Sequence, residues 1–308
     1  VFDTINRFDS SDTNVSKFVF SAKDAVAEAV LYKYNSYEQR TVICCSVMSG
    51  CPIGCAFCGS GNYFVRKLTS DEIVQQVESC LAHTGVDPLS IQKFQIMTMS
   101  MGEPMLNMTN LIEALTVLGA RYPNAALLVS TMAPNVDYGP FLAFAESNSK
   151  VGLQFSIHES TDAARNKIIP FRNKLELVQI ADIGEQFYQC TGRKPYINYC
   201  IHPNNSSIDD VNRLVELFDP RVFCATVSVI CEQDETIAQA NARQLIMATE
   251  FSGQMVSAGY NTRVFNPAGT DDIGGGCGQL WFVQDWMKNN PSLTHKSCGY
   301  GLTKIHPA

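Results

Sequence analysis

Three cysteines inside eight residues constrain this chain more than any other feature. They stand in Cys51-Pro-Ile-Gly-Cys55-Ala-Phe-Cys58-Gly, a C-x3-C-x2-C spacing accompanied by Gly54, Gly59 and Gly61. So short a glycine-rich loop can turn three thiolates toward one face of a cluster. Thiolates suit iron–sulfur clusters, and a [4Fe–4S] cluster held by three cysteines keeps one iron open for a substrate or cofactor. Zinc is the rival. A structural zinc takes four ligands, commonly from paired C-x2-C knuckles. No His or Cys follows closely after Cys58, and Cys80 falls inside a helical pattern.

The rest of the composition fixes the setting. Twelve cysteines with no secretory signal in Val1 to Asn14 point to a reducing, cytoplasmic compartment, where a cysteine cluster means metal or catalysis before disulfides. The chain opens on valine, which leaves room for a preceding segment. With 308 residues and 45% hydrophobic content it can bury a sizeable core unaided. No apolar run reaches the ~18 residues of a membrane helix. Charged residues make up only 17%, and the net charge is −7. Such a chain does not grip nucleic acid over its whole surface, and a local basic patch is needed for that.

From Arg40 onward strand and helix signals alternate. Strands are expected at Thr41–Val47, Phe94–Met99, Ala126–Ser130, Gly152–Ile157, Tyr196–Ile201 and Val222–Ile230, mostly as apolar runs buried on both faces. Helices fall between them. One opens at Ser70, capped by Thr69 or Ser70, with Ile73, Val74, Val77 and Leu81 on one stripe. Others are expected at Met108–Leu118, Phe141–Ser147, Leu175–Gln189, Ile208–Phe218 and Thr236–Ala258. Six βα units imply a parallel sheet with its site at the carboxyl ends of the strands. Before them, Phe18–Phe20 and Ala27–Tyr34 read as short strands joined by the turn Ala22-Lys23-Asp24.

Motifs gather at those strand ends. Met101-Gly102-Glu103-Pro104-Met105-Leu106-Asn107 follows the second strand, Ser130-Thr131 the third and Ser156-Ile157-His158 the fourth. Nearer the C-terminus stands Thr270-Asp-Asp-Ile273-Gly-Gly-Gly276-Cys277-Gly-Gln-Leu280, and Cys44 precedes Cys51 by seven residues. Together these resemble the RlmN/Cfr family of radical S-adenosylmethionine (SAM) methyltransferases, over nearly the whole chain. The resemblance implies a partial (βα)6 barrel spanning 40–265, a β extension over 1–39, and a catalytic-cysteine loop with its tail over 266–308. It implies that Cys51, Cys55 and Cys58 hold a [4Fe–4S] cluster, and that Gly102, Glu103, Ser130, Ser156, Ile157, His158 and Ser228 surround SAM.

The activity implied is methylation of an adenine ring carbon in ribosomal or transfer RNA, C2 ahead of C8. Two SAM molecules are used per turnover. One methylates Cys277. The other yields a 5′-deoxyadenosyl radical that abstracts hydrogen from that methyl group, which then adds to the ring. Glu28, which matches the family's pre-barrel glutamate, is the implied base, and Cys44 resolves the covalent link by forming a disulfide with Cys277. Cys45 should point away from Cys44, because side chains alternate along a strand. A flavodoxin-like or other reductant, and a monomeric enzyme, complete the expectation.

Three departures bear on the substrate. Ser228 stands where the family carries an asparagine. The stretch before the Asp-Asp-Ile motif, Phe265–Thr270, carries no charge. The family's small N-terminal helical domain has no counterpart here. Arg165, Lys167, Arg172 and Lys174 could form a basic patch, though a solvated helix face is the simpler reading. Two alternatives therefore stand beside RNA: the same chemistry on an adenine nucleotide or other small molecule, and a catalytically inactive cluster- and SAM-binding protein.

Overall fold

Alternation along short strands builds a ten-stranded sheet. The computed structural model describes residues 1–60, 63–229, 241–266, 270–274, 279–293 and 295–296. Four antiparallel strands open it: β1 (Thr4–Asp9), β2 (Val15–Ala22), β3 (Ala25–Tyr34) and β4 (Ser36–Cys44). From β4 onward neighbours run parallel: β7 (Lys93–Thr98), β8 (Ala125–Thr131), β9 (Val151–Ser156), β10 (Tyr196–Cys200), β11 (Cys224–Ser228) and β12 (Asn261–Phe265). They lie in that order across the sheet. The polar opening segment thus contributes an edge strand, β1. A seventh parallel strand, β12, follows the six expected.

Helices cover one face: α1 (Ser70–Thr84), α2 (Met108–Arg121), α3 (Gly139–Glu146), α4 (Asp162–Ile168), α5 (Leu177–Thr191), α6 (Ile208–Leu217) and α7 (Ile246–Ser257). Thr69 caps α1, and the Glu72 carboxylate reaches back to the Thr69 N–H at 2.9 Å, a reciprocal box that satisfies two orphan donors. The last of the expected helices, Thr236–Ala258, is described from 241 onward. Residues 230–240, including Thr236, lie outside the described residues, and 241–245 form a wider π-type turn before α7.

The strands are two-faced rather than buried alike on both sides. Phe94, Ile96, Leu127, Val129, Leu153, Phe155, Ile197 and Val227 are buried against the helices in one continuous core. The alternate positions carry Gln95, Ser130, Gln154, Ser156, Asn198 and Ser228, and face inward. Cys44 and Cys45 divide in the same way. Cys45 lies in the helix-side core, where burial lifts its thiol to about 12, while Cys44 is half-buried beside Val30 on the inner face.

A second, three-stranded sheet frames the cysteine loop. It joins β5 (Met48–Gly50), β6 (Tyr63–Lys67) and β13 (His295–Lys296). The last pairs antiparallel with β6, so the C-terminal tail lies along the strand that closes the loop. Ahead of β13, α8 (Thr270–Ile273) and α9 (Trp281–Asn289) return over the β1–β3 extension, where Phe282 stacks on Phe8 at 3.8 Å. Of the stretch after Trp281, for which the motifs give no role, α9 is thus a packing element. Among the described residues no helix is long and apolar enough to cross a membrane.

Gly50 opens the cysteine loop at φ +78°, and a Cβ there would lie 2.2 Å from the Tyr63 carbonyl oxygen. Both the left-handed backbone and the close approach require glycine. Gly50→Ala is expected to cost about 3 kcal/mol of folding stability, read as a lowered midpoint in chemical denaturation.

Candidate active site at the carboxyl ends of the parallel strands

The cysteine loop leaves β5 and is fixed at both ends by backbone bonds. Cys51 N–H donates to the Tyr63 carbonyl at 2.7 Å, and Ala56 N–H donates to the Ile168 carbonyl of α4 at 2.8 Å. Cys51 and Cys55 pack with Ile53, Met132 and Ile169 in a small apolar cluster of their own. Both thiols are pushed well above the usual range, first by burial and then by the other loop thiols and Glu103. The three do not converge as a ready ligand set: among the described residues no three His, Cys, Asp or Glu side chains stand together closely enough to hold a metal. The donor chemistry nevertheless fits an iron–sulfur cluster. Thiolates crowded in an apolar wall repel one another, and iron would supply the compensating positive charge.

Glu103 sits 3% exposed at the end of β7. Its Oε1 accepts from Met105 N–H at 2.9 Å and from the Thr131 hydroxyl at 2.5 Å, and its Oε2 accepts from Met132 N–H at 2.8 Å. Burial, partly offset by these donors, lifts the carboxyl to about 7. Expected among the residues that surround SAM, Glu103 first ties the β7 and β8 loops together. Three of its roughly four acceptor sites are used internally. Gly102 likewise serves the protein. At φ +97° its missing side chain leaves room for Met48, whose Cβ would be 2.6 Å from a Gly102 Cβ.

The serine positions do meet on the inner face. Ser130 Oγ and Ser156 Oγ are 3.1 Å apart, and the Gln154 amide donates to Ser130 at 3.1 Å. Ser228 donates to Asn198 Oδ1 at 2.6 Å. The motifs miss Asn198, although its place in Tyr196-x-Asn198-x-Cys200, between apolar Ile197 and Tyr199, marks an inward polar residue. Ile157 is fully buried and, like His158, donates its N–H to the Asn198 carbonyl at 3.1 Å.

His158 holds a left-handed backbone at φ +61°. Its Nδ1 accepts from Cys200 N–H at 3.2 Å, so the proton of the neutral ring is on Nε2. Phe57, between two cysteines of the loop, meets the ring edge-on at 4.8 Å. Behind it lies Arg165, which the basic-patch reading placed toward solvent. The structure corrects that reading. Arg165 is 0% exposed, donating to the carbonyls of Leu175 and Met132, because α4 packs its inner side against the cysteine loop.

Glu28 lies on the inner face of β3, 2% exposed, with Oε1 2.9 Å from Lys17 Nζ. Lys17, fully buried, was also missed, though a lysine between Val15 and Val19 on alternate positions of a strand is a visible anomaly. Burial raises the Glu28 carboxyl and Lys17 opposes the rise. Val30 pairs with Cys44 across β3 and β4, so Glu28 and Cys44 are diagonal neighbours on one face. Cys277 lies outside the described residues. The motif leading to it does not: Ile273 packs beside Val15, Val30 and Cys44, Asp272 accepts from Ser11 N–H at 2.7 Å, and the Gly274 carbonyl accepts from Lys17.

Burial and the Arg165 charge hold His158 down to about 3, against an ordinary value near 6.5. Unfolding lets this ring take a proton that the folded chain refuses. Its contribution to stability is therefore complete above pH 6.5 and is lost as pH falls toward 3. His158→Asn should remove that loss. The stability of the native chain relative to the variant should fall by up to about 1.4 kcal/mol per pH unit across this window, measured by denaturation at several pH values.

No family model matches the chain. Individual proteins do. A probable dual-specificity RNA methyltransferase RlmN from Thermus thermophilus is 29% identical over 287 residues, 91% of this chain and 77% of that protein. The dual-specificity RNA methyltransferase RlmN of Syntrophotalea carbinolica is 28% identical over 279 residues, 88% of this chain and 71% of that protein. Among solved structures, a radical SAM methyltransferase from Sphaerobacter thermophilus superposes with a TM-score of 0.70 at 22% identity, covering 90% of this chain and 80% of that one. Streptococcus suis SuiB bound to S-adenosylmethionine reaches 0.53 at 11% identity, covering 75% and 51%. The parallel run of strands with helices on its outer face is thus the radical SAM partial barrel. The chain is a homologue of the RlmN methyltransferases with the radical SAM methyltransferase fold, a methyl-transferring enzyme.

Proposed function

We propose that this chain methylates an sp2 carbon of adenine in RNA, C2 ahead of C8, with Cys277 carrying the methyl group and Cys44 resolving the covalent link. One observation carries the reading. The residues that lead into Cys277 are anchored beside Cys44 and Glu28, through Ile273 in the Val30–Cys44 cluster and Gly274 on Lys17. Three residues of chain reach at most about 11 Å, which is the longest span the covalent chain allows between this anchor and Cys277. The RNA methyltransferases among its relatives favour RNA as the substrate.

Cys51, Cys55 and Cys58 would hold a [4Fe–4S] cluster, and Gly102, Glu103, Ser130, Ser156, Ile157, His158 and Ser228 would surround SAM, two molecules serving each turnover. When bound, the pair supplies one-electron cleavage of SAM and hence a carbon-centred radical, fed by a flavodoxin-like or other reductant. The chain's own groups do the rest. Phe57 meets the neutral His158 ring edge-on and so ties the cysteine loop to the residues that follow β9. Glu28, lifted by burial, is suited to take the ring proton once the adenine carbon is bonded to the Cys277 methylene. The adduct's unpaired electron would return to the cluster; Cys44 then attacks the Cys277 sulfur, the electron pair of the sulfur–methylene bond passes to the methylene carbon, which takes the proton that the Cys44 thiol gives up, and methylated adenine leaves as the disulfide forms. Reduction of that disulfide in a cytoplasmic, reducing milieu would reset the enzyme.

Burial of Arg165 favours a second reading, the same chemistry on an adenine nucleotide or other small molecule. It removes one of four charges from the basic patch of a chain at net −7, and phosphate backbones are held by such charges.

In Cys44→Ala, produced in cells, the substrate should stay bonded to Cys277. Mass spectrometry of the peptide containing Cys277 is expected to show a nuclease-sensitive adduct ending in adenosine. A single nucleotide untouched by nuclease would establish the small-molecule reading. An unmodified peptide would defeat the methyl-cysteine route.

A further inference from the structure

Lys17 is buried without exposure on β2 and joins three parts of the fold. Its ammonium pairs with Glu28 Oε1 on β3 at 2.9 Å, donates to the Gly274 carbonyl after α8, and lies 5.8 Å from the centre of the Phe282 ring on α9. Glu28 Oε2, also buried, has no hydrogen-bond partner among the described residues. A buried ion pair is poor value for stability alone, since desolvation of both charges offsets their attraction. Here one ammonium also fixes the backbone three residues before Cys277 and holds one carboxylate oxygen, leaving the other without a partner from these elements. Among the described residues, neither the cysteine loop nor the inner-face serines hydrogen-bond to 272–274.

We propose that Lys17 is a positioning residue that tethers the Glu28 carboxylate to the Gly274 backbone, three residues before Cys277 in the sequence, so that the base is held against the segment that leads to the methyl-bearing thiol. The proposal rests on the reading of Glu28 as the base and Cys277 as the methyl carrier. Lys17 touches neither substrate nor SAM in this role. The ring proton goes to Glu28 alone.

The test uses reconstituted full chain with SAM, reductant and RNA, and follows two signals by mass spectrometry: methylation of Cys277, and the share of enzyme held as the RNA adduct. Lys17→Met should slow methylated-RNA formation by about tenfold or more and raise the adduct share, while Lys17→Arg, which keeps charge and donors, should restore most of the turnover. Lys17→Met strands a buried carboxylate and could prevent folding. The double variant Lys17→Met/Glu28→Gln removes both charges and is therefore run beside Glu28→Gln. The tether predicts that the double variant methylates Cys277 at least fivefold more slowly than Glu28→Gln, the weakening expected for a lost charge-assisted hydrogen bond. Equal methylation rates in that pair would overturn the tether. So would wild-type turnover by Lys17→Met, or an equal loss in Lys17→Met and Lys17→Arg without adduct. Glu28→Gln arrested as adduct while Lys17→Met turns over normally overturns this proposal alone. Glu28→Gln turning over like wild type overturns the base assignment and the proposal with it.

Discussion

A sheet whose two faces meet different surroundings is the constraint on which the rest of this structure depends. Every parallel strand sends one set of side chains into the helix-side core and the other toward the inside of the curve. Because the side-chain period is two, a one-residue slip would exchange Leu127, Val129 and Phe155 for Ser130, Gln154 and Ser156 and put polar groups into the core. The burial of the outer set therefore fixes the register of the inner one. Asn198, Ser228, Ser156 and Ser130 are held at the carboxyl rim by apolar neighbours that take no part in chemistry.

The rim is stiffened by polar side chains that spend their hydrogen bonds on the backbone. Glu103 accepts from the β8 loop, Arg165 donates to the carbonyls of Met132 and Leu175, and His158 accepts from Cys200. Each satisfies main-chain groups that no ladder reaches beyond the strand ends. The cysteine loop is held in this mesh through Ala56 and Phe57, and through β5, β6 and the returning tail strand. Loop and rim are thus joined by short, directional contacts, while the helices contribute mass and burial.

Much of this was legible in the residues themselves. The six strands, the Thr69 cap and the opposite orientations of Cys44 and Cys45 follow from local patterning. Other features were not. Arg165 sits in a run that reads as a solvated basic face, and its burial depends on how α4 meets the cysteine loop, a contact between distant segments. The edge strand β1 is mostly exposed and polar, so its pattern gives no apolar signal, and only pairing with β2 makes it a strand. Asn198 lies in mid-strand, apart from the motifs at the strand ends, and its role shows only where β10 and β11 pair and Ser228 reaches it. The tail from Trp281 has no motif, yet it covers Lys17 and Phe8.

The sequence by itself determined the chemistry available: three closely spaced thiols, a fourth on the first parallel strand, a fifth in a glycine-rich motif, and the apolar periods that make a parallel sheet. These are local properties, set by residue type and spacing. Only the tertiary structure decided which groups act on one another. Lys17, Glu28, Cys44 and Gly274 are separated by up to 257 positions along the chain. No spacing rule relates them. They meet because β2, β3 and β4 pair antiparallel and the segment after β12 folds back over their inner face, where burial makes each remaining charge seek a partner.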